Sequence, residues 1–112
     1  MKEIKTYVHA NRVAAVIQAL KESEAFGGDD GACRHNLTAY VVKGSLLALD
    51  ANERHYSMAL GEEVINEYKL EMLCEDAHVE ALVAVIRQAA HTGSRQAGWI
   101  YVVDIASAVR ID

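Results

Sequence analysis

Histidine, cysteine and acidic side chains are where chemistry would have to start in this chain, because they ligate metals and move protons near neutral pH. The histidines are His9, His35, His55, His78 and His91, and the cysteines are Cys33 and Cys74. None forms an i, i+4 histidine pair or a C-x-x-C pair, the spacings that place two ligands side by side. Cys33 and His35, beside an acidic stretch, come nearest to a ligand pair, and the expectation is no metal site. Asp29 and Asp30 lie in GGDDG, which lacks the alternating oxygen donors and closing glutamate of a calcium loop. They read as a solvated turn. Acid–base catalysis needs a histidine or carboxylate facing substrate in an apolar cavity. His9 and Glu71, both on strand-like segments, are the only candidate pair, and no nucleophile motif or cofactor fingerprint accompanies them. The chain reads as a protein that binds and does not turn over substrate.

Composition narrows the class of partner. The 112 residues fit one domain, 1–112. The net charge is −5, and the bases, among them Lys2, Lys5, Arg12, Lys21, Lys43, Arg54, Lys69, Arg87 and Arg95, are scattered. Phosphate backbones reward clustered Lys and Arg, so nucleic acid is not an expected partner. No apolar run approaches a membrane span, and Met1–Val8 alternates where a signal peptide would be continuous. Two cysteines make no disulfide framework, so a cytoplasmic protein with reduced thiols is expected.

The elements that must position any site follow from periodicity. Glu3–Val8 alternates polar and apolar, as a half-buried strand does. Asn11 is the expected N-cap of a helix carrying Val13, Val16, Ile17 and Leu20 on one side. Glu24–Asn36 (EAFGGDDGACRHN) is rich in glycine and acid and is expected to be a loop. Leu37–Lys43 reads as a second strand. The second half repeats the order: a strand at Tyr68–Cys74, then a helix capped by Asp76 with Val79, Leu82, Val83, Ile86 and Ala90 on its apolar side. A break at His91–Gly98 leads into a strand at Trp99–Ile105. Val109–Ile111 is expected to add a short terminal strand.

Two βαβ units predict an α+β, ferredoxin-like sandwich, an antiparallel sheet with both helices on one face. The other face would leave apolar surface in water, and self-association is the expected cover. The connection Gly44–Glu67 is far longer than a hairpin needs. Its apolar residues Leu46, Leu47, Leu49, Tyr56, Met58 and Leu60, interleaved with charges such as Arg54, suit an arm that contacts a protein partner. Ser45 is the expected cap of a short helix from Leu46 to about Arg54. The alternative is a loop that packs back on its own assembly.

The C-terminal segment HTGSRQAGWIYVVDIASAVRID resembles the PII signal-transduction proteins, in the part that holds their nucleotide-binding B-loop, the following strand and a terminal arginine. Thr92, Gly93, Gly98, Ile100, Tyr101, Val102 and Arg110 match that pattern. Lys69-Leu70-Glu71 matches the start of the family's third strand, Lys43-Gly44 the opening of its long T-loop, and Met1–Leu20 its first strand and helix. The resemblance covers nearly the whole chain, with one insertion around Glu24–Arg34.

What the resemblance implies is a homotrimer that senses a small-molecule effector and regulates a protein target, such as a membrane transporter or an enzyme, without inserting into the membrane. The nucleotide site carried over is Thr38, Gly44, Thr92, Gly93, Gly98 and Arg110, for ATP, ADP or AMP, and Arg95 joins it by its place inside the turn. Arg95 stands in for a family lysine that falls at Trp99, and the family's G-D-G becomes Gln96-Ala97-Gly98. The second terminal arginine falls at Asp112, and the uridylylated tyrosine of some members at Leu60. Residues at the T-loop base change too, to Leu46 and Ala48. The lysine that meets 2-oxoglutarate falls at Glu67, so 2-oxoglutarate is not expected to bind. The second reading, within the same fold, is a trimeric metal-responsive protein akin to the CutA family or to PII-like proteins associated with metal efflux. No cofactor is required in either reading.

Overall fold

Alternation along the strands sets the architecture. The computed structural model describes residues 1–112. Strand β1 (Lys2–His9) leads through α1 (Val13–Glu22) and a short α2 (Gly31–His35) to β2 (Thr38–Gly44). Strands β3 (Arg54–Ser57) and β4 (Glu62–Cys74) follow, then α3 (Val79–Ala89) and β5 (Gly98–Asp104). The sheet runs β2-β4-β1-β5, with β3 also paired to β4, and the ladders joining neighbours are antiparallel. With the helices on one side, this is the ferredoxin-like arrangement that two βαβ units require.

Register assigns each strand residue a face. Ile4 lies opposite Met72 and Val102, and Thr6 opposite Leu70 and Ile100. Ile4, Val8, Leu70 and Met72 are buried against Val16 and Leu20 of α1 and Leu82 and Ile86 of α3. Cys74 belongs to the same core, and burial pushes its thiol pKa up.

Both expected helix caps are replaced. Arg12, not Asn11, occupies the α1 cap position and makes no cap hydrogen bond. Its guanidinium instead donates to Ala89 O at 2.7 and 3.2 Å, satisfying a carbonyl at the open end of α3. Asp76 starts a single 3-10 turn before α3 and pairs with the Met1 amino group at 2.9 Å. That ammonium holds the Asp76 carboxyl below its ordinary range.

The glycine-rich segment is folded. It forms a 3-10 turn (Gly28–Asp30) and α2, because Phe26, the chain's one phenylalanine, inserts fully into the core. His35 stacks on Phe26 with ring centroids 5.1 Å apart and holds Leu73 O through Nδ1 at 2.7 Å. Arg34 donates to Phe26 O at 2.6 Å. A Cβ on Gly31 would overlap that same carbonyl, so only glycine lets α2 close over it.

The long connection also departs from expectation. No helix follows Ser45; a single 3-10 turn, Ala51–Glu53, is capped by Asp50, which accepts from Asn52 N–H at 2.8 Å. β3 then pairs with the first half of β4, from Arg54 opposite Ile65 to Ser57 opposite Glu62. Glu67 is therefore inside a strand and not at a loop end. Alternating His55, Tyr56 and Val64, Ile65 favour a ladder over an isolated turn of helix. Val109–Ile111 form no strand, since β1 is already paired on both sides and Ile105 N–H closes onto Met1 O at 3.2 Å. Val109 and Ile111 are almost fully exposed. No helix is long and apolar enough to cross a membrane.

Candidate functional site

The face of the sheet away from the helices carries a set of polar and aromatic side chains. Glu3, Lys5, Tyr7 and His9 come from β1, Glu67, Lys69 and Glu71 from β4, Tyr40 from β2, and Trp99, Tyr101 and Val103 from β5. At its centre Lys69 Nζ lies 2.9 Å from Glu71 and over the rings of Tyr7 and Tyr40, at 5.4 and 5.3 Å from their centroids. Tyr40 OH donates to Glu71 Oε1 at 2.8 Å. Hydrogen bonding to Tyr40, Glu71 and Tyr7 raises the Lys69 pKa, and Lys69 with Tyr40 lowers that of Glu71.

Toward the far end of the face lie two neighbouring cavities. One, of about 240 Å³, is lined by Tyr7, Gly44, Ser45, Leu46, Glu67, Gln96, Trp99 and Tyr101. The other, of about 330 Å³, shares Tyr7, Gln96 and Trp99, runs past Ser94, Ala97, Gly98 and Ile100 at the edge of the sheet, and reaches Thr6 and Val8 of β1 and Arg87, Ala90 and His91; Arg95 does not line it. Register puts Tyr7 opposite Trp99, and a Cβ on Gly98 would overlap Tyr7 O, so glycine allows this close approach of β5 to β1.

Of the residues expected to form a nucleotide site, Gly44 lines the first cavity and Gly98 the second. Thr92 and Gly93 form the intervening turn: Thr92 Oγ1 accepts from Ser94 N–H at 3.2 Å, and Gly93 has φ +82° with open space around it. Arg95 is exposed in that turn and makes no ion pair. Thr38 lies at the opposite end of β2 from Gly44, about 20 Å away over six residue steps. Its hydroxyl donates to Glu71 O at 3.5 Å. Arg110 is exposed and paired with Asp112 at 2.9 Å. One copy of the chain therefore sets Gly44 and Gly98 in neighbouring cavities, with Ser94 of the turn lining the second, while Thr92, Gly93, Arg95, Thr38 and Arg110 line neither.

The histidine–acid pairing read from sequence is incorrect. His9 is fully buried, but its Nδ1 meets Glu53 Oε2 at 2.8 Å, while Glu71 belongs to Lys69 and Tyr40. In the β1–β4 ladder His9 lies opposite Glu67 and Lys5 opposite Glu71, about 13 Å apart along the strand. Glu53 also accepts from Leu49 N–H, so this carboxylate ties the long connection to β1. Cys33 is exposed, whereas His35 is buried under Phe26, and the two face different surroundings. No three His, Cys, Asp or Glu side chains come together in a ligating group.

Sequence reasoning missed Tyr7, Ser45, Gln96, Trp99 and Tyr101 as lining residues. The signal for the aromatic three was strand parity: Tyr7, Trp99 and Tyr101 sit at alternate positions from the core residues Val8 and Ile100. Along the long connection, Leu47, Tyr56, Met58 and Leu60 are exposed, Met58 at 88%. Leu46 and Leu49 are half-buried against the body. Arg54 is exposed beside them.

Among curated proteins, none matches the chain. The family model described as nitrogen regulatory protein P-II matches residues 1–112, the full length of the sequence. The fold, the long arm rooted at Gly44 and the glycine turn before β5 thus sit in a chain that belongs to the nitrogen regulatory protein P-II family.

Proposed function

We propose that this chain is a ligand-controlled regulator that binds an adenine nucleotide, ATP, ADP or AMP, beside the Thr92–Gly98 turn and signals through the arm rooted at Gly44. Family membership supports a regulatory role and not catalysis. The observation that carries the ligand reading is the shared wall of the two cavities. Tyr7, Gln96 and Trp99 line both, so a ligand beside Ser94 and Gly98 would contact residues that also wall the cavity at the root of the arm. Phosphate oxygens suit such a turn, which offers backbone N–H groups and the cation of Arg95.

The arm has the character of a contact surface. Tyr56, Met58 and Leu60 are exposed around the β3–β4 turn, while His9 and Glu67 hold its base. A ligand with different affinity for two arrangements of that base would shift the arm between them, and so alter affinity for a protein target such as a membrane transporter. Thr38 and Arg110 reach the nucleotide only from a neighbouring copy, which fits a homotrimer packed through the open sheet face.

Calorimetry with ATP, ADP, AMP and 2-oxoglutarate tests the site. At least one nucleotide is expected to bind, about tenfold or more weaker in Arg95→Ala and in Arg110→Ala. 2-Oxoglutarate is expected not to bind, because Glu67 faces the cavity. Nucleotide affinity indifferent to both arginines, or tight 2-oxoglutarate binding, contradicts the proposal. Light scattering that finds a monomer at micromolar concentration contradicts the trimer.

A further inference from the structure

Glu67 is 96% buried, yet within one copy of the chain no lysine, arginine or histidine nitrogen lies within 4.0 Å of its carboxylate. One oxygen, Oε2, accepts from Leu46 N–H at 2.9 Å, and Oε1 has no hydrogen-bond partner. His9, opposite Glu67 in the ladder, turns its Nδ1 to Glu53 instead. Oε1 keeps its solvent contact through the cavity alone, and a carboxylate so largely withdrawn from water gains from a cation beside it. Here it lines a cavity of about 240 Å³ whose other walls include Tyr7, Trp99 and Tyr101. The Tyr7 and Tyr101 rings are 5.5 Å apart, and Trp99 and Tyr101 6.4 Å.

We propose that this cavity binds a small organic cation, an ammonium or guanidinium compound, with its charge on Glu67 and its body against Trp99 and Tyr101. Aromatic faces attract such cations, most strongly where water is displaced. The same sheet face already holds one: the Lys69 ammonium sits between Tyr7 and Tyr40 beside Glu71. Glu67 has the carboxylate and the aromatics of that arrangement without the lysine. Gly44 makes the geometry feasible, since a Cβ there would overlap the Glu67 carboxylate. Because Glu67 also holds Leu46 N–H, a cation drawing on its charge acts directly on the root of the arm. The inference stands on this cavity alone and adds a second effector to the regulator proposed above, without depending on nucleotide binding.

Trp99 is the only tryptophan and reports on the site by fluorescence. The protein, free of nucleotide, is titrated with choline, n-butylamine and methylguanidinium, and with 3,3-dimethylbutanol as the neutral isostere of choline. Saturable change is expected with at least one cation and none with the alcohol. Glu67→Gln, which keeps an acceptor for Leu46 N–H, is expected to weaken binding at least tenfold, whereas the remote Glu80→Gln leaves it unchanged. Circular dichroism and Tm confirm that both variants are folded, and Trp99→Leu, followed by calorimetry, covers a Glu67 variant that is not. Absence of binding by all three cations up to about 10 mM, equal binding of the alcohol, or affinity unaffected by both Glu67→Gln and Trp99→Leu overturns the proposal.

Discussion

The two faces of one sheet are built from neighbouring residues and have opposite characters. On the helix side, Ile4, Val8, Leu70 and Met72 are nearly fully buried in the apolar core, with Thr6 the one buried polar residue between them on β1. On the open side, Tyr7, Lys69, Glu71, Trp99 and Tyr101 interleave with them at every second position and combine charge with aromatic surface. Alternation lets the same strands carry a core and a charged, aromatic face at once, because each can change without moving the other. Within the open face the contrast recurs on a smaller scale. Glu71 has its cation and its phenol, and Glu67 has a single backbone N–H and a cavity. The first is internally complete; the second leaves one carboxylate oxygen without a hydrogen-bond partner beside the cavity.

The largest effect is expected where the core face is cut. Leu82 is fully buried in α3, and Leu82→Ala should cost about 2–5 kcal/mol in chemical denaturation, at any protein concentration. Val103→Asp places a charge on the open face, where Val103 is 40% exposed. Its effect should depend on concentration, as expected if that face is covered by other copies. A concentration-independent loss equal to that of Leu82→Ala would erase the distinction between the faces.

A smaller effect separates the arm from the sheet. Glu53→Ala removes both the bond to His9 and the acceptor for Leu49 N–H. Charge-assisted bonds of this kind contribute about 1.5–3 kcal/mol, so amides from Leu49 to Ser57 should exchange at least about tenfold faster. The amides that join β1 to β5 should be unchanged. Acceleration spread evenly over the whole sheet would mean that the arm and the sheet form one cooperative unit.

How much of this could be read beforehand depended on range. Strand and helix positions came from local periods, and β1, β2 and β5 lie within a residue of expectation. The glycine-rich segment misled because its fold depends on one distant insertion, Phe26 into the core, which no local pattern announces. The caps were misassigned for a similar reason: Arg12 and Asp76 serve partners 77 and 75 positions away in the chain, Ala89 and Met1. In the site, the glycines at 44, 93 and 98 and the charge at Glu67 were legible as residue types. The Tyr7–Trp99–Tyr101 wall was not, because it exists only once register sets β1 beside β5.

The smallest effect tests whether the filled arrangement at Lys69 and Glu71 is a stabilising element at all. Lys69 and Tyr40 hold the Glu71 pKa below its ordinary range in the folded chain. A carboxyl depressed on folding contributes stability that is fully present above the unfolded value, about pH 4.3. That contribution is lost as pH falls through the lowered folded value. Lys69, whose pKa is raised, contributes below the ordinary lysine range and loses its contribution only at strongly alkaline pH. At neutral pH both terms are present, so wild type should melt above Glu71→Gln. The gap should close as pH is taken from about 6 to about 3. Because the pair is partly exposed, the difference should be about 1 kcal/mol or less, a few degrees in Tm. Asp76 is also depressed, by the Met1 amino group, so acid destabilises both proteins, and only the difference between the two curves reports on Glu71. Parallel curves with a constant offset would show that Glu71→Gln acts through packing or the Tyr40 bond, and that the charge of Glu71 beside Lys69 adds nothing to the fold.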